Sequence, residues 1–292
     1  MGNLELEKVR KVPPFRKIAI GTWRTAYDPS VYGTMALPMD RAMDYIARFR
    51  ATTGIRLTVS HLMAKAFAVT LQKIPDANAI LRFHRPYRRK HIGVFFQVAM
   101  TEEGSDEIDL SGCTLYDVET KDLPQLVAEF EGKVNKVRAR KDEALEKTRG
   151  IFRWLPFWAS HWFLRTVGFL TYTLNLALPG LARDPFGSVM ITNIGSLGLD
   201  MAYVPLVPYS RVPILLALGA VAKVPVVEGD EVVIRQQMKV NATFDHRFID
   251  GAHAAIMSKV LHRAFEDPDA FFGPIPQTAE VAAAPALEAP AS

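Results

Sequence analysis

The strongest constraint on the fold of this chain is a long alternating segment that leads into an amphipathic segment near the C-terminus. Between residues 232 and 244, apolar and polar side chains alternate with a period of two, which predicts a strand with one buried face. Between residues 256 and 265, apolar side chains recur at helical spacing until Glu266-Asp267-Pro268 ends the pattern. The sequence therefore predicts a strand followed by a helix that packs on a sheet.

The turn between these two elements carries chemically active side chains. His246 continues the inward face of the predicted strand, and Asp250 precedes Gly251 near the start of the helix, where the helix dipole favours its charge. A neutral imidazole can accept the proton of a thiol or hydroxyl that attacks a thioester carbonyl, so the arrangement suits acyl transfer. A packed histidine beside a helix-capping aspartate is the alternative that the residues alone leave open.

Further periodic segments predict a mixed α/β fold, in which helices form one layer and a sheet forms the other. Helices are expected at about 40–50, capped by Asp40, at 60–74, opened by Ser60 and closed by Pro75, and at 123–137. Strand-like runs lie at 91–101, 113–118, 187–194 and 212–222.

Composition limits the chemistry. Cys113 is the single cysteine among 292 residues, so it cannot form an internal disulfide or a cysteine-based metal cluster, and we treat it as structural. The histidines lack zinc-like pairing and no Gly-Lys-Ser/Thr phosphate loop occurs, so we expect no metal. No secretory signal follows Met1, which makes a cytoplasmic location the default expectation.

The net charge of +4 is concentrated in two runs, residues 82–90 and 133–149. Acidic residues interrupt the second run, which dilutes its positive field, and we expect no nucleic-acid partner. The phosphates of coenzyme A are a more economical partner for Arg85, Arg88 and Arg89.

Residues 243–268 closely resemble the C-terminal signature of the 2-oxoacid dehydrogenase acyltransferases, the dihydrolipoyl acyltransferase family. Other segments resemble the family in the same order, namely 57–66, 74–78, 91–94, 189–195, 205–209 and 214–219. The resemblance covers about residues 16–272 with one gap. It implies a chloramphenicol acetyltransferase-like mixed sheet with helices on one side.

The resemblance also implies an activity and a site. It implies transfer of an acyl group between coenzyme A, as acyl-CoA substrate, and a thiol or hydroxyl acceptor, with His246 as general base. Thr192 would donate a hydrogen bond to the carbonyl oxyanion. Without the resemblance, Thr192 would be interpreted as an ordinary strand residue whose hydroxyl bonds to its neighbours. Asp250 would hold the loop through an arginine, for which Arg16 and Arg24 are the two candidates.

Three further residues, Asn193, Gly195 and Arg247, are predicted to contact substrate. The family forms trimers whose active site lies between subunits, so a homotrimer, or a multiple of trimers, is expected. A non-catalytic trimeric scaffold of a 2-oxoacid dehydrogenase-type complex is the alternative function. A condensation domain of peptide assembly lines is set aside, because Asp245 stands where that motif has its first histidine.

The chain departs from the family in its N-terminal and acceptor-side segments. Residues 1–15 are too few for a lipoyl domain, so we expect no covalent lipoyl group and a stand-alone form. Tyr32-Gly33 replaces the family's Pro-His, and residues 107–111 replace a Gly-Leu-Val-Val-Pro stretch. These positions lie near the acceptor channel in relatives, so the acceptor stays open between dihydrolipoamide and another thiol or alcohol.

Residues 151–179 form an aromatic and apolar insert that the family lacks. Pro156 and Arg165 interrupt it, so it is too broken for a membrane span. Three interpretations remain: an interfacial helix pair giving peripheral membrane contact, a lid over an apolar acyl pocket, or a buried subunit contact. We expect one catalytic domain over 1–273 and a disordered Ala/Pro-rich tail over 274–292.

Overall fold

The computed structural model describes residues 2–9, 29–101, 108–139 and 156–277. Both predicted arginine partners of Asp250, Arg16 and Arg24, lie outside these ranges, as does the predicted tail beyond residue 277. The strands of the described part are β1 Leu6–Lys8, β2 Ser30–Pro38, β3 Ala79–Arg82, β4 Arg85–Arg89, β5 Gly93–Thr101, β6 Ile108–Tyr116, β7 Val189–Asn193, β8 Ile214–Glu228 and β9 Glu231–Asp245.

In the described ranges, six strands form the main sheet, in the order β2-β9-β8-β7-β5-β6. The central strands β5, β7 and β8 pair in parallel, whereas β2-β9, β8-β9 and β5-β6 pair antiparallel. Strands β1, β4 and β3 form a small separate sheet. The predicted mixed sheet is confirmed, and β2 is a strand that the sequence patterns did not predict.

The helices of the same ranges are α1 Asp40–Thr53, α2 Val59–Lys73, α3 Leu123–Arg138, α4 Phe157–Gly168, α5 Gly251–Glu266 and α6 Pro268–Phe272. Two starts differ from the predictions. Met39, not Asp40, is the cap residue of α1, and Thr58, not Ser60, is the cap of α2. Asp40 is instead the first helical residue, where the helix dipole still favours its carboxylate.

The hydrophobic core lies between one face of the main sheet and helices α1, α2, α3 and α5. Alternate strand residues such as Val94, Phe96 and Val98 point into it, as the period of two requires. Phe49, Phe67 and Phe265 supply large, almost fully buried side chains from the helix layer. This apolar core holds in place the sheet that carries the candidate site.

The distal half of the β8-β9 hairpin departs from the predicted pattern. Val232 and Ile234, expected on the buried face, are 70% and 69% exposed. The hairpin turns at Gly229, whose φ of 62° suits glycine, and its far end pairs only with itself, beyond the reach of the helix layer. Burial begins at Met238, where β2 joins the ladder.

The opposite face of the sheet is covered by α4 and by the loop around residues 204–209. The predicted fold of a mixed sheet with helices is confirmed, and α4 is an additional helix beside the second face. Its residues Phe163, Leu164 and Val167 line a cavity together with strand residues of that face. A π-helical turn, Phe169–Thr173, follows α4. In the part of the chain described here, no helix is long and apolar enough to cross a bilayer.

Candidate active site

His246 lies in the turn that follows β9, with its ring partly buried. Its backbone amide donates to the carbonyl of Pro29 at 2.7 Å, which ties the turn to the start of β2. Its ring Nδ1 lies 2.7 Å from the carbonyl oxygen of Ile249. Because a carbonyl can only accept, Nδ1 carries the hydrogen of the neutral ring, and Nε2 is the basic nitrogen.

The turn is held rigid by a buried ion pair. Arg247 donates from Nη2 to Asp245 Oδ2 at 2.5 Å and from Nε to Asp245 Oδ1 at 2.9 Å, and both side chains are buried. A charge buried in this way needs its partner, since an unpaired one carries a large desolvation cost. The guanidinium of Arg247 is thus engaged with Asp245 inside the turn, and its predicted contact with substrate stays a prediction.

Asp250 is the cap residue of α5. Its Oδ1 accepts from the amides of Ala252 and His253, each at 3.1 Å, and lies 2.7 Å from His253 Nδ1. The capping interpretation of Asp250 thus holds, and the cap fixes the geometry of the loop that carries His246. The sequence patterns assigned His253 no role, because the reciprocal residue of a capping box is normally Glu or Gln.

Thr192 is the penultimate residue of β7, and it lies on the second face of the sheet, at the wall of the cavity beneath α4. The side chain is half-buried, and its hydroxyl makes no hydrogen bond to any residue within the described ranges. The alternative interpretation requires a hydrogen bond from this hydroxyl to a neighbouring strand residue, and none is present among the described residues. A hydroxyl at this wall can donate to a ligand in the cavity.

Asn193 and Gly195 shape the turn after β7. Asn193 Oδ1 accepts from the amide of Ser196 at 3.1 Å, and its Nδ2 donates to Ser60 Oγ at 3.4 Å. A Cβ on Gly195 would lie 2.6 Å from the carbonyl oxygen of Gly219, so only glycine permits this close approach to β8. Both residues hold Thr192 in place, and their predicted contact with substrate stays a prediction.

Within one chain, His246 and Thr192 are far apart. Thr192 pairs with Ala217 of β8, which pairs with Asn241 of β9, and His246 lies five residues beyond Asn241. At about 3.4 Å per residue, and with two strand spacings of about 4.8 Å between β7 and β9, the two side chains are separated by more than about 15 Å. One copy of the chain therefore does not bring the predicted base to the predicted oxyanion donor.

The cavity that contains Thr192 has a volume of about 890 Å³. Its floor is the second face of the sheet, including Phe95, Met190 and Leu215, and its roof is α4. The loop residues Val204, Val207 and Tyr209 close one side, and burial raises the pKa of the Tyr209 phenol. Three basic residues contribute to the border of the cavity, and these are Lys133, Lys136 and Arg183.

Two of the three arginines predicted to bind the phosphates of coenzyme A pair with carboxylates, and phosphate binding by this patch stays a prediction. Arg89 is buried and paired with Asp184 at 3.0 Å, and Arg88 pairs with Asp76 at 2.8 Å. Of the three arginines, Arg85 alone lacks an ion pair within the described residues. Across the same ranges, no group of three or more His, Cys, Asp or Glu side chains is placed to hold a metal.

Comparison with known proteins identifies relatives of the chain. Residues 186–272 match the family model of the 2-oxoacid dehydrogenases acyltransferase (catalytic domain). The dihydrolipoyllysine-residue acetyltransferase component of the acetoin cleaving system of Bacillus subtilis is 24% identical over 217 residues, which is 74% of this chain and 43% of the relative. The chain thus spans less than half the length of this curated relative.

Solved structures share the fold. The dihydrolipoamide acetyltransferase of Azotobacter vinelandii has a TM-score of 0.62 at 22% identity, over 90% of this chain and 94% of the other. That structure was studied for the role of a serine, a histidine and, four residues later, an asparagine in catalysis. The cubic core of the pyruvate dehydrogenase multienzyme complex has a TM-score of 0.63 at 22% identity, over the same shares of the two chains.

Proposed function

We propose that this chain is an acyltransferase, on the premise that its residues 186–272 match the catalytic domain of the 2-oxoacid dehydrogenase acyltransferases and that it shares their fold. It moves an acyl group between coenzyme A and a thiol or hydroxyl acceptor. The observation that carries the proposal is the orientation of His246, since its Nδ1 hydrogen is held by Ile249 and Nε2 is left as the basic nitrogen.

The reaction follows from this orientation. As the acceptor sulfur or oxygen attacks the thioester carbonyl, its proton passes to Nε2 of His246. The carbonyl oxygen gains the negative charge, and the hydroxyl of Thr192 donates to it. When the intermediate collapses, the carbon–sulfur bond to coenzyme A breaks, and the departing thiolate takes the proton from the imidazolium. No covalent bond to the enzyme forms.

The separation of the two residues supports a site shared by two copies. His246 of one copy would meet Thr192 of the next, and a closed ring of three copies satisfies every site. A row of exposed apolar side chains follows Thr192 along the chain and is suited to such a contact; its members are Leu197, Leu199, Met201 and Tyr203. A trimer, or a multiple of trimers, is the assembly we propose.

Substitution of the base tests the activity. We expect His246→Ala to lower the rate of acyl transfer from acetyl-CoA to dihydrolipoamide by roughly 10²- to 10⁴-fold, measured by chromatographic separation of coenzyme A from acetyl-CoA. His262→Ala, in the C-terminal half of α5, is the matched control and should retain the rate. Equal rates for wild type and His246→Ala would exclude the enzyme and leave the scaffold function.

Complementation tests the shared site. His246→Ala and Thr192→Val should each be inactive as pure assemblies. When the two variants are unfolded and refolded together, an interface that pairs the intact histidine of one with the intact threonine of the other regains activity, at roughly a quarter of all interfaces for random mixing of a ring. No recovery in an assembly shown to contain both variants would contradict a site between copies.

A further inference from the structure

Helix α4 turns apolar side chains toward the cavity and polar side chains toward solvent. Phe163, Leu164 and Val167 line the cavity, whereas Arg165 and Thr166 are exposed. A spacing of three and four residues puts side chains on the same face of a helix. The helix is thus a roof with one face toward the cavity, and the sheet below it carries Thr192.

The lining of the cavity favours hydrocarbon over polar ligand groups. Aromatic and aliphatic side chains supply most of its exposed lining, and polar side chains such as Ser111 and Tyr172 supply the rest. The apolar set includes Phe95, Phe163, Leu164, Val167, Phe186 and Met190. A polar amide moved into such surroundings without a hydrogen-bond partner costs about 1–3 kcal/mol. An alkyl chain has no such cost and gains from leaving water.

The size of the cavity exceeds what a short acyl group needs. Its volume of about 890 Å³ is near the upper end of the range for sites that hold whole drug-sized ligands, roughly 300–1,000 Å³. An acetyl group fills a small part of that space and would leave the apolar walls without contacts. A long chain that extends away from Thr192 would cover them.

Positive charge lies at the border of the same cavity. Lys136 and Arg183 are exposed, and neither has an ion pair within the described residues. Lys133, by contrast, pairs with Glu129 at 2.9 Å and donates to the carbonyl of Thr114 at 2.7 Å. Two cations without an ion pair in the described ranges, beside an apolar space, match a ligand with one apolar end and one anionic end.

We propose that the cavity under α4 binds a long-chain fatty acyl group of acyl-CoA, with its alkyl chain beneath the roof and the phosphates of its carrier at Lys136 and Arg183. This inference rests on the proposed function, since Thr192 at the cavity wall then faces the thioester. It names the donor that the enzyme selects and assigns the insert a role in that selection.

Narrowing the cavity from the roof tests the inference. We expect Val167→Trp to weaken binding of palmitoyl-CoA at least tenfold by calorimetry, and to weaken binding of acetyl-CoA much less. Thr166→Trp adds the same side chain one residue earlier on the exposed face, and should leave both affinities as in wild type. If Val167→Trp fails to fold, Leu164→Ala, which widens the cavity, should shift the preference toward longer chains.

Charge reversal tests whether the cations at the border of the cavity bind the phosphates of acyl-CoA. Lys136→Glu and Arg183→Glu should each weaken palmitoyl-CoA severalfold while binding of palmitoyl-pantetheine, which lacks the nucleotide phosphates, stays as in wild type. Lys223→Glu, an equal charge change on the exposed β8-β9 hairpin, is the control. Equal affinity for free coenzyme A and palmitoyl-CoA, or equal effects of the two tryptophan variants, would overturn the inference.

The binding measurements separate this inference from the proposed function. If no acyl-CoA supports transfer but palmitoyl-CoA binds and Val167→Trp removes binding, the cavity is a binding site for a long acyl chain and the proposed transferase activity is wrong. If acetyl transfer occurs and chain length has no effect on affinity, the transferase activity is confirmed and the long-chain binding site is wrong. Binding to phosphatidylglycerol vesicles that requires Trp162 and competes with palmitoyl-CoA would assign the insert to a membrane surface and overturn the inference.

Discussion

The two faces of the main sheet differ in what they are built to do. The face toward α1, α2, α3 and α5 is covered by buried apolar side chains that pack against one another. The opposite face holds Thr192, a cavity of about 890 Å³ and a thin cover of α4 and loop. Because the first face supplies the stability, the second can leave space unfilled and polar groups without partners, which a ligand site requires.

Truncation of one apolar side chain on each side of the sheet should give the largest contrast in stability. Phe265→Ala removes a fully buried ring from the helix face and should lower the free energy of unfolding by about 3–5 kcal/mol. Val167→Ala on the cavity roof should cost about 1 kcal/mol or less, because it enlarges an existing space. Urea denaturation followed by circular dichroism measures both, and equal losses would erase the distinction between the faces.

Breaking the ion pair of the His246 turn should have an effect nearly as large. Arg247→Ala leaves Asp245 buried and unpaired, and we expect a loss of about 3–5 kcal/mol. The double variant Asp245→Asn with Arg247→Ala should recover part of that loss, since no buried charge remains. A double variant no more stable than Arg247→Ala alone would show that packing, and not charge, holds the turn.

His61 should give the helix face its own pH dependence. Burial, with Arg50 and Arg56 nearby, lowers the pKa of this histidine to about 4. The unfolded chain therefore binds this proton first as the pH falls, and stability should decrease from about pH 6.5 to pH 4, by an amount on the order of 3 kcal/mol.

His61→Gln keeps a capping-box side chain at this position without its titration. The variant should therefore show a flatter profile of unfolding free energy against pH over the same window. Identical profiles for the wild type and the glutamine variant would exclude His61 as the source.

Substitution of the cap residue of α5 should give the smallest effect on stability, and two substitutions there separate the role of the side-chain oxygen from that of its charge. Asp250→Ala should cost about 1 kcal/mol of stability, whereas Asp250→Asn should cost a few tenths, because asparagine caps a helix nearly as well. Acyl transfer should follow the same order, since the cap positions the His246 loop. If Asp250→Asn loses as much activity as Asp250→Ala, the carboxylate charge itself is required.

Local patterns explain what could be predicted from the sequence. The end of β9, the start of α5 and the cap at Asp250 depend on residues a few positions apart, so periodicity and capping rules suffice for them. Strand β2 was missed because its exposed apolar residues Val31 and Tyr32 break the expected alternation. Its place is determined by pairing with β9, which is distant in the sequence.

The arrangement around the candidate site depends on such distant contacts. The apolar insert was recognised, but its position over Thr192 is set by packing against strands that come both before and after it in the chain. The pairing of the Arg247 guanidinium with Asp245 is likewise not evident from the sequence. Similarly, the distance between His246 and Thr192 becomes evident only from the strand register.

The roof of the cavity comes from one continuous segment, whereas its floor belongs to the sheet that carries Thr192. Shape and chemistry are therefore encoded in separate stretches of the gene. Substitutions at the inward positions of α4 can resize the chamber without moving the reacting groups. For protein engineers, this makes one short helix a convenient target for libraries that change donor preference.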